Sequence, residues 1–115
     1  MAKQAAEELK TEGINADLID LRTVSMPDID YDMIGESVMK TGNIVIIEQS
    51  PESNSIGARI GYECQRRFFD YLDGPIWTVS AMDVPTPVSK WAEAATMSTI
   101  NDIKDIIRKS VQRQL

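Results

Sequence analysis

The sequence of 115 residues contains no histidine, which removes the commonest general acid/base near neutral pH and the commonest metal ligand together. Its single cysteine, Cys64, excludes an internal disulfide. Cys64 stands at helical spacing among Ile56, Ile60 and Phe68, so it reads as a small core residue rather than a reactive thiol. There is no apolar run of 18 residues and no secretory leader pattern, which points to a bacterial cytoplasm or a mitochondrial or other organelle matrix. Positive charge is scarce: 12 Lys and Arg face 18 Asp and Glu, a net charge of −6 and a pI near 4.6. That balance argues against nucleic acid, whose phosphates need clustered cations, and against an anionic membrane surface. It suits a basic protein partner, and it suits simple solubility equally well. No glycine-rich phosphate loop is present, and Asp28-Ile29-Asp30 reads as turn and helix cap rather than a ligand pair.

What is present alternates between two periodicities. Residues 2–12 place Ala2, Ala5, Ala6 and Leu9 on one helical face, and Gly13 is a natural stop. ADLIDL (16–21) reads as a strand. MPDID (26–30) is turn chemistry, with Asp28 or Asp30 available to cap a helix that runs to Thr41 and ends at Gly42. NIVIIEQ (43–49) holds four consecutive β-branched residues, Ile44 to Ile47, as in a strand buried on both faces. Ser53, Asn54 or Ser55 can cap a helix from Ile56 to about Tyr71, which buries Ile56, Ile60, Cys64 and Phe68. IWTVS (76–80) reads as a strand entered through Pro75. Residues 82–97 read as an irregular loop with one short turn around Trp91. Thr99-x-x-Asp102 has the form of a capping box for a final helix striped by Ile100, Ile103, Ile106, Ile107 and Val111. Strands alternating with helices predict one α/β domain over 1–115, a three-layer α/β/α sandwich with a mostly parallel sheet.

Four segments carry a resemblance in one colinear order. They are AAEELKTEGINADLIDLRTVSMPDID, SVMKTGNIVIIEQ, GARIGYECQRRFFDYLDGPI, and DVPTPVSK with the closing INDIKDIIRKSV helix. Together they resemble the C-terminal domain of the β subunit of thiamine-diphosphate-dependent 2-oxo acid dehydrogenases, of the pyruvate or branched-chain type. More broadly the chain is similar to the transketolase C-terminal domain. Two departures stand out. The family's glycine-rich pair after the Ile-Val-Ile-Ile-Glu strand is replaced by SPESNSIG, where only Gly57 remains. The sequence also begins inside the first helix, so the first two strands of the family's five-stranded sheet are lacking, one of which lies between ADLIDL and NIVIIEQ. Those two segments then pair directly, or a second chain fills the slot, or the chain is part of a longer subunit.

The resemblance implies a parent reaction, oxidative decarboxylation of a 2-oxo acid with acyl transfer to lipoamide. The thiamine diphosphate and Mg²⁺ of that enzyme are held by other domains, so no catalytic, cofactor or metal residue is expected here. The implied partners are the α subunit or N-terminal domains of the same enzyme, a second β subunit, and the subunit-binding domain of the lipoyl acyltransferase. That binding domain is basic in this family, so an acidic receptor suits it. Asp73, in the Tyr71–Pro75 turn, matches the family position implicated in docking, although turn chemistry alone also explains it. Asp70 and Glu63 are weaker docking candidates that a solvated helix face explains more simply, and Leu115 ends a tail near the same surface or a frayed helix. Arg22 follows a strand end and is expected in an interdomain ion pair. Asp83, Pro85 and Pro87 are expected to wedge a stiff loop at an interface. Trp77 reads as core or core-edge packing. Two other readings stay open: a free-standing α/β binding or regulatory module, and a transketolase or deoxyxylulose-phosphate-synthase relative.

Overall fold

The computed structural model of the chain describes residues 1–21, 28–51, 53, 55–82, 89–91 and 98–112. Two strands, β1 (Val45–Pro51) and β2 (Trp77–Ala81), pair in parallel, with Val45 opposite Trp77 and Ile47 opposite Val79. The register slips between Ile47 and Pro51, so Glu48 lies at an irregularity near the strand end. Parallel neighbours need a crossover, and α3 (Ile56–Phe68) followed by a 3₁₀ turn (Phe69–Tyr71) supplies it.

The apolar run Ile44–Ile47 explains the layering. Alternate residues of an extended chain point to opposite sides, so each pair enters a different core. Ile44 and Ile46 pack against Ile29, Ile34, Val38, Ile60 and Cys64. Val45 and Ile47 pack against Ala5, Leu9, Val79, Ile103 and Ile107. α1 (Ala2–Lys10) and α4 (Ile100–Gln112) cover the second face, while α2 (Tyr31–Thr41) and α3 cover the first. The result is the expected α/β/α sandwich around a parallel sheet.

Helix ends follow the side chains that satisfy them. Asp30 Oδ1 accepts the Met33 N–H at 3.0 Å, and α2 closes at Gly42 with φ 78°. Ser55 Oγ accepts the Ala58 N–H at 3.0 Å and so starts α3. Thr99 and Asp102 cap α4 reciprocally: Asp102 Oδ2 accepts the Thr99 N–H at 2.7 Å, and Thr99 Oγ1 accepts the Asp102 N–H at 3.2 Å. Each such cap contributes about 1 kcal/mol. Lys104–Glu8 (2.9 Å) then ties α4 to α1, and Arg108–Glu12 (3.0 Å) ties it to the turn that follows α1.

Three expectations need correction. Residues 16–21 form no strand. Ile19 and Leu21 turn into the core and Leu18 is 53% exposed, while Asp17 is held to α2 by Ser37 Oγ (2.9 Å) and Lys40 Nζ (2.8 Å). The sequence has the right alternation, but an extended segment becomes a strand only when a neighbour takes its backbone groups. Among the described residues no strand lies beside it, so it does not pair with β1. Second, Ile56 is 41% exposed rather than buried. A spacing of four overshoots the helical turn by about 40° each time, so Ile56 has rotated off the face that Cys64 occupies. Third, Val111 is 49% exposed, while Ser110 is buried with its hydroxyl donating to the Ile107 carbonyl at 2.7 Å. The expected loop over 82–97 falls mostly outside the described residues.

Candidate functional site

Where β1 ends and α3 begins, the chain closes tightly on itself. Glu48 accepts the Gly57 N–H at 3.1 Å, and a Cβ built on Gly57 would lie 2.7 Å from the Glu48 carboxylate carbon. Only glycine allows that approach. Three successive N–H groups in the first turn of α3 are therefore occupied: Gly57 by Glu48, Ala58 by the Ser55 hydroxyl, and Arg59 by the Ser55 carbonyl at 3.4 Å.

Along the outer side of α3 runs a groove of about 870 Å³, walled on its other side by the Leu72–Ile76 segment and Thr78. Gly57, Ala58 and Gly61 keep the helical wall low, whereas Tyr62 and Phe69 stand up from it, 53% and 67% exposed. Asp70 and Asp73 sit toward the C-terminal end of α3. Asp73 is fixed there by its backbone, whose N–H donates to the Gly42 carbonyl at 2.8 Å. Its carboxylate lies over Gly42, where a Cβ would come within 2.7 Å of Asp73 Cγ. The left-handed cap of α2 and the Asp-Gly-Pro turn are thus one joint.

Glu63 does not sit on a solvated face. It is only 8% exposed and its carboxylate meets three guanidinium groups: Arg59 at 3.1 Å, Arg66 at 3.3 Å and Arg67 at 3.4 Å. One carboxylate cannot neutralise three cations, so this flank of α3 is net positive in an otherwise acidic chain. Arg59 and Arg66 lie 5.6 and 5.9 Å from the Tyr62 ring centre, and Arg67 lies 4.3 Å over Tyr31. The spacing of Glu63 from these arginines (−4, +3 and +4) is legible in the sequence. The Gly42–Asp73 joint has no such signal, because it links residues 31 positions apart through backbone shape.

Cys64 is 1% exposed, and burial pushes its thiol up to about 11, with the Arg67 charge pulling against that and the Glu63 charge adding to it. It stays protonated at neutral pH, as a structural thiol does. Burial likewise raises the Tyr31 phenol. Trp77 is half-buried, while Trp91 is 84% exposed. Arg22, Asp83, Pro85, Pro87 and Leu115 lie outside the described residues.

Among the described residues no group of three or more His, Cys, Asp or Glu could hold a metal ion. A diphosphate is usually cradled by open N–H groups at a helix N-terminus. Those of α3 already serve Glu48 and Ser55, and the groove's own charges, Asp70 and Asp73, repel phosphate. The groove does not fit a diphosphate-bearing cofactor. It joins a wall of small residues to exposed aromatics, with Asp70 and Asp73 at one end. Among the described residues, no helix is long and apolar enough to cross a membrane.

Comparison with known proteins gives this architecture a family. The transketolase C-terminal domain family matches residues 1–103. Over 107 residues the chain is 36% identical to the pyruvate dehydrogenase E1 component subunit beta of Rhizobium meliloti, covering 93% of the chain and 23% of that protein. It is 38% identical over 109 residues to the same subunit of Rickettsia bellii, covering 95% of the chain and 33% of that protein. The mitochondrial subunit of Dictyostelium discoideum is 37% identical over 110 residues, covering 96% of the chain and 30% of that protein. The chain therefore spans a third or less of the length of these relatives. With a two-faced parallel sheet, helices on both sides and a match across nearly its whole length, the chain belongs to the transketolase C-terminal domain family.

Proposed function

We propose that this chain acts as the C-terminal domain of the β subunit of a pyruvate-type 2-oxo acid dehydrogenase, where it supports assembly and docking rather than the chemical step. The observation that carries the reading is the colinear likeness to pyruvate dehydrogenase E1 β subunits over 93–96% of the chain. The parent enzyme oxidatively decarboxylates its 2-oxo acid with thiamine diphosphate and Mg²⁺, and passes the acyl group to lipoamide. In this proposal those cofactors are held by the other domains and the α subunit. This chain contributes a shaped surface, and a branched-chain 2-oxo acid is the less favoured substrate because the relatives are pyruvate enzymes. The location follows from the parent: bacterial cytoplasm, or the matrix of an organelle.

Asp73 is the residue we assign to docking the basic subunit-binding domain of the acyltransferase core, with Asp70 as its neighbour. Its backbone is anchored on Gly42, so the carboxylate is presented without the entropy cost of ordering a loose turn. Glu63 takes a different part in the proposal: it gathers Arg59, Arg66 and Arg67, and so shapes the flank beside the docking end. The test is binding of the isolated subunit-binding domain to the assembled enzyme, measured calorimetrically at low and moderate salt. Asp73→Lys should weaken binding about tenfold or more, as for loss of a charge pair within an interface. Unchanged affinity at low salt contradicts the assignment.

A further inference from the structure

Among the ion pairs of the described residues, the basic flank of α3 is where cations outnumber the carboxylates that hold them. Elsewhere each bridging cation has at least one carboxylate to itself: Lys40 has Asp17, Lys104 has Glu8, and Arg108 has Glu12 and Asp105. Here Arg59, Arg66 and Arg67 share Glu63 alone. Asp70 follows Arg67 and Arg66 by three and four residues, yet it forms an ion pair with neither. Each guanidinium gives Glu63 one nitrogen: Nη2 from Arg59, Nη1 from Arg66 and Nε from Arg67. The Glu63 side chain lies beneath, 11% exposed, while those of the arginines are 51–61% exposed, so the rest of each fork is open to solvent. Arg59 and Arg66 reach the same oxygen, Glu63 Oε1, although their Cα atoms stand roughly 10 Å apart along the helix axis. Both also pack near the Tyr62 ring. Carboxylate and ring thus hold two guanidiniums side by side, which lowers the entropy cost of engaging them.

We infer that this flank is an interaction surface for an acidic helical segment of a partner protein, one that carries carboxylates on successive turns. The inference goes beyond the docking assignment at Asp73 and does not rest on it. The match is one of charge and of spacing. Side chains at i and i+4 of a helix stand about 5–6 Å apart, which suits two guanidiniums that meet at one oxygen. Arginine takes a carboxylate through two parallel N–H bonds, and Glu63 leaves that capacity unused at both Arg59 and Arg66. Arginine and tyrosine are also the side chains enriched where proteins meet, and Tyr62, 53% exposed, adds apolar area between the charges. A second copy of the chain is not the occupant, because a two-fold contact of this patch with itself sets arginine against arginine. The chain as a whole carries −6 and repels an acidic partner at long range. At physiological ionic strength the screening length is about 8 Å, so that repulsion fades while close pairs keep their strength. The partner is therefore selected at contact rather than steered from a distance.

The test is fluorescence anisotropy of a labelled helical peptide bearing glutamates at i and i+4 on one face, titrated with the 115-residue chain at physiological ionic strength. Circular dichroism verifies each variant's fold. Binding should saturate and should weaken as salt is raised. Replacing the peptide's glutamates by glutamine should weaken it about tenfold or more, and so should Arg59→Gln/Arg66→Gln in the chain. Arg59→Lys/Arg66→Lys keeps the charge but not the fork, so it should recover part of that loss, which a damaged fold would not. No binding at near-millimolar chain overturns the proposal, as does binding that Arg59→Gln/Arg66→Gln leaves intact or a lysine variant no better than the glutamine one. Inorganic phosphate or an oligonucleotide that displaces the peptide at concentrations below the peptide's own Kd would assign the patch to phosphates and overturn it too. Self-association of the chain, lost in Arg59→Gln/Arg66→Gln, would assign it to a second copy with the same consequence. None of these results touches binding of the subunit-binding domain at Asp73, so failure here and failure of the docking assignment are separable.

Discussion

Replacing Gly42 by alanine probes the joint that holds Asp73 in place. Two costs add. Gly42 has φ 78°, where an L-residue with a Cβ loses about 1–2 kcal/mol relative to glycine. The new Cβ would also lie 2.7 Å from Asp73 Cγ, far inside the usual 3.5–4.0 Å contact between carbons. Turning the exposed carboxylate aside, while its backbone stays pinned by the N–H bond to the Gly42 carbonyl, should add about 0.5–1.5 kcal/mol of off-rotamer cost. Gly42→Ala is therefore expected to cost about 1.5–3.5 kcal/mol in total, a large part of a small domain's stability. The steric part should vanish when the carboxylate is removed first. In an Asp73→Ala background, Gly42→Ala should cost only the backbone term of about 1–2 kcal/mol. Urea unfolding of the four members of this cycle, followed by far-ultraviolet circular dichroism, gives the coupling directly. If Gly42→Ala costs the same in both backgrounds, within about 0.5 kcal/mol, the two residues are not in contact and the picture of a rigidly presented Asp73 is wrong.

Ile103 is fully buried between α4, α1 and the sheet, so Ile103→Ala should lower unfolding free energy by about 2–5 kcal/mol, against a negligible change for Val111→Ala at the exposed helix end. Cys64, its thiol raised by burial to about 11, should react with iodoacetamide at pH 8.5 on the order of 100-fold more slowly in the folded chain than in urea, and equal rates would show the thiol to be accessible. Lys40 and Ser37 hold the Asp17 carboxyl below its ordinary 3.8, with burial working the other way. A depressed carboxyl stabilises the fold above its unfolded value and loses that contribution as pH falls through its folded value. The stability difference between the wild-type chain and Lys40→Ala, read from urea midpoints, should thus be present at pH 6 and shrink below pH 4. A difference that grows in acid would refute the pairing.

What could be read in advance was what local chemistry dictates. Asp30, Ser55 and the Thr99/Asp102 box all cap where short polar side chains before apolar periodic stretches place them. The run Ile44–Ile47 announced a strand buried on both faces, and its alternate residues do enter two separate cores. The segment 16–21 was misleading because strand pattern is necessary for a strand but the partner is not written in it. Ile56 was misleading because a spacing of four drifts around a helix whose turn is 3.6 residues. Beside the groove, the spacing of Glu63 from Arg59, Arg66 and Arg67 stands in the sequence, yet Glu63 reads there as a solvated helix residue, because its burial depends on how α3 sits on the sheet. The Gly42–Asp73 joint was invisible, since no periodicity connects a helix cap to a turn on the far side of the crossover. Family identity was more legible than any site because it is spread over the whole chain, whereas a docking residue differs from an ordinary turn aspartate only by what approaches it.

The central claim is that this domain places and joins the enzyme rather than performing its chemistry. The most direct measurement compares two rates in the assembled dehydrogenase carrying Asp73→Lys. One is decarboxylation followed with an artificial electron acceptor, and the other is overall oxidation of the 2-oxo acid through the lipoyl core under limiting enzyme. The account predicts that the first stays within about twofold of wild type while the second falls about tenfold or more, as expected for loss of a docking charge pair. Equal loss of both rates, or no loss of either, would contradict it.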